Sequence, residues 1–184
     1  MAEYYLISQL PSLDGLGEDA PLPITEERFW ELCGRLLKPK ARAALDALTL
    51  LPPQKAEEAE TGFVGLWNEN ERALRLALAK VRAEKMKKPF DIGGRVLPVA
   101  HIRAAEEATA MDNPLEAERY LNRYRLAMLE AQRPTDSFSE DYVLYYGLKL
   151  KLLQRNRQFD AAVGEKAYKN IYHSVLSENG EVVS

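Results

Sequence analysis

The run from about Glu57 to Lys88 constrains this chain more than any other part of it. Phe63, Trp67, Leu74, Leu78 and Val81 share one face when successive residues turn by about 100°, which predicts one long amphipathic helix. From Phe63 to Lys88 such a helix is about 39 Å long at ~1.5 Å per residue, enough to span a whole domain. Lys85, Lys87 and Lys88 sit where cations favour the helix dipole, and Pro89 stops the helix.

The remaining segments read in the same way. Thr25 is placed to cap a helix with Glu26 and Glu27 in its first turn and Phe29, Trp30, Cys33, Leu36 and Leu37 at helical spacing. Pro39 begins a short helix through Ala44 and Leu48, which ends before Pro52 and Pro53. Val99 to Met111 is an alanine-rich helix, and Asn113 with Pro114 opens another that runs to about Gln132, with Ala117, Leu121, Tyr124 and Met128 on one face. Ser139 caps the next helix, whose segment Tyr142 to Leu153 is apolar on more than one side and so belongs at the centre. A last helix after Asp160 carries Val163, Ala167, Ile171 and Val175. Residues 1–24 combine the apolar stretch Tyr4 to Leu10 with a loop or extended arm from Pro11 to Pro23, and residues 177–184 form a frayed tail. The one strand-like place is Phe90 to Leu97, where Gly93 and Gly94 suit the turn of a minor hairpin. The expectation is a single all-α domain over 1–184, six or seven packed helices with one long one.

With 184 residues, 46% hydrophobic and 29% charged, such a domain buries roughly 70% of its unfolded surface and needs no disulfide or structural metal. A net charge of -3 argues against general nucleic-acid binding, which draws on a surplus of Lys and Arg. Cys33 is the single cysteine, which removes disulfide frameworks and multi-cysteine metal sites and fits a cytoplasmic setting. The start, with Glu3 and Pro11, lacks the layout of a signal peptide, and no stretch approaches the ~20 apolar residues of a membrane helix.

Catalytic and cofactor chemistry finds little purchase. His101 and His173 are the only histidines and neither has a metal-ligand partner at helical spacing. Cys33 lies on an apolar helix face that raises a thiol pKa, and Gly93-Gly94 lacks either phosphate-binding frame. The glutamates at 57, 58, 60, 106 and 107 read as solvated faces, and the basic run Lys80 to Lys88 as a helix C-terminus. No catalytic, cofactor or metal residue is assigned. One charged pattern does stand out. Glu71, Arg75 and Arg82 line a shoulder of the long helix beside Trp67 and its apolar stripe, and Glu118 and Arg125, seven apart, line a similar shoulder of a second helix. If the shoulders face each other, their charges form a partly buried network that fixes the packing of the two helices.

The segments EYYLISQLPSL, WNENERALRLALAKVRAEKMKK, DNPLEAERYLNRYRLAMLEAQ and FSEDYVLYYGLKLKLLQR follow one another in an order and spacing that resembles a bacterial domain-of-unknown-function family encoded among V-type ATPase subunits. The resemblance covers nearly the entire chain. Trp67, Glu71, Leu74, Arg75 and Arg82 match the family's long-helix pattern, and Pro114, Glu118, Leu121, Arg125 and Leu129 the next; Leu126 stands where the family often has an aromatic. The resemblance implies a non-enzymatic part of a bacterial rotary ATPase, standing where other such enzymes carry the helical socket that joins the central shaft to the membrane rotor. Its partners would then be the soluble stalk or rotor components of the V-type ATPase, and it would sit peripheral to the inner membrane. The rival readings are a free-standing helical adaptor and a small enzyme built on helices.

Overall fold

The computed structural model describes residues 2–16, 20–53 and 62–158. Within them the chain forms seven helices and no strand: α1 (Ala2–Gln9), α2 (Glu26–Leu36), α3 (Pro39–Asp46), α4 (Gly62–Lys85), α5 (Val99–Ala110), α6 (Pro114–Ala131) and α7 (Glu140–Gln158). The all-α expectation therefore holds, whereas the helix expected after Asp160, the tail and the first residues expected in the long helix lie outside the described residues.

Local chemistry sets three of the seven helix starts. Thr25 accepts the Arg28 amide at 3.2 Å, Asn113 accepts the Leu115 amide at 3.0 Å with Pro114 behind it, and Ser139 Oγ accepts the Tyr142 amide at 3.2 Å, each satisfying a donor that has no partner inside its helix. The C-terminus of α4 closes just before Pro89. Lys87 turns left-handed at φ 55°, its amide bonds the Glu84 carbonyl at 3.0 Å, and the Lys88 amide reaches back to the Ala83 carbonyl at 2.9 Å.

The helices pack around α7, which touches α1, α2, α3, α4 and α6. Val143 to Leu150 is buried without a break, because neighbours cover this helix on several sides. Gly147 makes one of these contacts close: a Cβ there would stand 3.2 Å from Leu45 and Leu48 and 3.3 Å from Phe29. On the other side of the molecule α4 and α5 run in the same direction. Asn70 meets His101 at one end of the pair and Lys85 Nζ donates to the Thr109 carbonyl at 2.8 Å at the other. Residues 86–98 must therefore carry the chain back along α4. That path replaces the expected hairpin: Gly93 and Gly94 do turn, at φ 63° and 71°, but their flanks run as a connection, with Ile92 and Leu97 packed inward. Ala104, Ala105 and Ala108 bring α5 close to its neighbours.

Two apolar clusters result. One gathers Leu6, Phe29, Leu45, Phe63, Trp67 and Leu129 around α7; the other joins Leu74, Ala77, Leu78 and Leu121 to the alanines of α5. The loop from Pro11 belongs to the first cluster, since Leu13 is buried and Tyr146 Oη donates to the Pro11 carbonyl at 2.8 Å.

Candidate functional site

On α4, Glu71 falls between Trp67 of one apolar cluster and Leu74 of the other; on α6, Arg125 falls between Leu129 and Leu121 in the same way. The two helices are antiparallel, so these positions meet at the seam. Arg125 Nε donates to both Glu71 oxygens, at 2.9 and 3.1 Å, and both side chains are buried. Arg75, one turn on from Glu71, adds a bond to the same carboxylate at 2.8 Å with its own side chain part exposed. A single carboxylate thus holds two guanidiniums, and the excess positive charge is spread toward water through Arg75. The seam leaves Arg125 Nη1 and Trp67 Nε1 buried without hydrogen-bond partners.

A second layer adjoins it. Asn70 Nδ2 donates to the Leu66 carbonyl at 2.9 Å, which turns Oδ1 toward His101 Nε2 at 3.3 Å. The imidazole then carries its proton on Nε2, and Nδ1 accepts from Tyr124 Oη at 2.7 Å. Burial pushes the His101 pKa down, against the opposing pull of the Glu71 charge, so the ring is a neutral link between α4, α5 and α6.

The sequence-based set is thus only partly brought together. Trp67, Glu71, Arg75 and Arg125 meet, but Glu118 turns to α7 and accepts Arg155 Nη2 at 3.3 Å. Arg82 does not join either. It keeps the same side of α4 but is exposed, about three turns and ~16 Å of rise beyond Glu71, farther than a side chain can bridge.

A further cluster went unread in the sequence. Lys149, in the buried stretch of α7, donates to Asp14 Oδ1 at 2.5 Å, lies against Glu130 Oε1 and bonds Tyr145 Oη at 3.3 Å. Tyr145 Oη in turn donates to Glu130 at 2.7 Å, and Arg133 reaches Asp14 and the Tyr142 hydroxyl, each at 3.2 Å. Burial alone lowers the Lys149 pKa, but the bonds to Asp14, Glu130 and Tyr145 outweigh it and raise the ammonium above the ordinary lysine range. The bond from Lys149 holds the Asp14 carboxyl below the usual range. The sequence signal was a lysine set in an apolar helix, but its partner stands 135 residues away.

In both clusters the charged groups are engaged with one another, an arrangement that locks helices. Cys33 is buried, with its thiol pushed up to about 12 by burial. Among the described residues, no group of three or more His, Cys, Asp or Glu is placed to hold a metal ion, and no helix is long and apolar enough to cross a membrane. No protein-family model, no curated protein and no solved structure matches the chain.

Proposed function

We propose that this chain is a non-enzymatic subunit or assembly factor of a bacterial V-type ATPase, acting through protein contacts with soluble stalk or rotor components. The observation that carries the reading is where the family-like residues fall. Of the residues through which the chain resembles that family, Trp67, Glu71, Leu74 and Arg75 on α4 and Leu121, Arg125 and Leu129 on α6 build the seam and the two apolar clusters beside it, whereas Arg82, Pro114 and Glu118 stand outside it. The resemblance therefore rests mainly on packing positions, as suits a scaffold that keeps its shape and works by contact. A part that couples a shaft to a membrane rotor needs stiffness, and helices joined by buried ion pairs provide it.

The test is to purify the ATPase from gently solubilised membranes of the source bacterium through a tag on its catalytic subunit, and to quantify this chain by mass spectrometry. A fixed ratio to the other subunits is expected. Absence from a preparation that retains the remaining soluble subunits would move the free-standing adaptor to first place. The enzyme reading has its own check: Glu71→Ala costs stability if the network is structural, whereas a catalytic Glu71 would leave a stable fold without turnover.

A further inference from the structure

Three aromatic rings that the packing leaves in solvent lie together at one edge of the fold. Tyr4 and Tyr5 of α1 are 54% and 60% exposed, and Phe138, in the turn before α7, is 49% exposed. They form one patch: the Tyr4 and Phe138 centroids are 4.8 Å apart and those of Tyr4 and Tyr5 6.0 Å apart. Phe138 is also held in place, because its amide bonds Asp136 Oδ1 at 2.9 Å and the next residue, Ser139, bonds the Asp136 carbonyl at 2.8 Å. Fixed aromatic rings that keep half their surface in water are the side chains that dominate protein interfaces, since little order is lost when they are covered.

The exposed charge in the turn beside Phe138 is acidic, while Lys38 stands near enough to act on Glu3, the neighbour of Tyr4. Asp136 shares the turn with Phe138, and Glu140 and Asp141 open α7 directly after it, all three exposed. Three exposed carboxylates disfavour an anionic lipid surface or a nucleic acid as the cover. A second copy docked by two-fold symmetry would set acid against acid.

We propose that this patch docks a basic amphipathic segment of a partner protein, its apolar side chains on Tyr4, Tyr5 and Phe138 and its Lys or Arg heads facing Asp136, Glu140 and Asp141. Arginine suits the position twice over, through the carboxylates and through the faces of the tyrosines. The inference stands whether or not the partner belongs to an ATPase.

The experiment uses the full chain and two fluorescein-labelled synthetic peptides, both with leucines at i, i+3, i+4 and i+7, one with arginines between them and the other with glutamates. Fluorescence anisotropy should show the arginine peptide binding at least about tenfold tighter than the glutamate peptide, with affinity falling as salt rises. Phe138→Ala should weaken binding by about tenfold or more with an unchanged circular dichroism spectrum. If that variant loses helix, Tyr5→Ser, at the most exposed ring of the three, carries the same expectation. Glu140→Gln with Asp141→Asn keeps the rings and should flatten the salt dependence. No binding of the arginine peptide, equal binding of both peptides, or binding indifferent to the ring substitutions in a folded chain overturns the proposal. Sedimentation showing Phe138-dependent dimers, or Phe138-dependent binding to vesicles rich in anionic lipid, overturns it too by placing another occupant on the patch.

Discussion

Glu71 is the residue whose loss exposes the logic of the seam. Removing its carboxylate strands the buried Arg125 guanidinium, so Glu71→Ala should cost about 3–5 kcal/mol in urea unfolding, while replacing Glu71 and Arg125 together by leucine and methionine should cost markedly less. A small loss for the single substitution would mean that water reaches the site. His101 gives the adjoining layer a pH signature. Its folded-state pKa is depressed by burial, so the unfolded chain takes up a proton first as pH falls. Stability should be flat above the unfolded value near ~6.5, decline as pH falls from there to the folded pKa, and level off below it. His101→Gln should remove that slope from unfolding midpoints measured across the window. At lower pH Asp14 acts in the same direction for a different reason. Its folded pKa is held down by Lys149, so its contribution disappears as pH falls through that value.

At the scale of elements, the end of α4 carries an avoidable cost. Lys87 adopts a left-handed backbone that glycine accepts freely, so Lys87→Gly should raise stability by about 0.5–1 kcal/mol, read as a higher melting temperature. Gly147 predicts the opposite outcome. A valine there would press into Leu45, Leu48 and Phe29 and should cost about 1–3 kcal/mol, loosening α2 and α3 from α7. What the sequence made legible was what depends on neighbouring residues: the caps at Thr25, Asn113 and Ser139, the stop near Pro89, and the face on which Glu71 and Arg75 stand. What it concealed depends on the path of the chain. The segment Tyr4 to Leu10 reads only as apolar, because α1 is two turns long and leaves Tyr4 and Tyr5 in water; its place is set by the burial of Leu6 in the main cluster. The parallel course of α4 and α5 decides that residues 86–98 are a connection, and no local signal around Gly93 and Gly94 encodes that course. Arg82 shows the same limit within a single helix, since periodicity gives the side a residue faces but not what stands opposite it at that height.

Taken together, the described residues form two apolar clusters joined by a layer of charge. One of them, with α4, α5 and α6, is assembled from consecutive segments; the other needs α1, α2 and α3 to find α7, through contacts as distant in sequence as Asp14 with Lys149. Contacts between near segments close with less loss of chain entropy than those between distant ones. Pulsed hydrogen exchange during refolding should therefore protect amides in α4 to α6 ahead of those in α1 to α3; simultaneous protection would show that the seam forms the two clusters as one unit. The order has a meaning during synthesis as well. Because α3 has its cover in α7, and α2 shares its own between α1 and α7, these helices leave the ribosome well before part of what they pack on, and Phe29 and Leu45 stay open to water, chaperones or other chains until Tyr146 and Gly147 emerge.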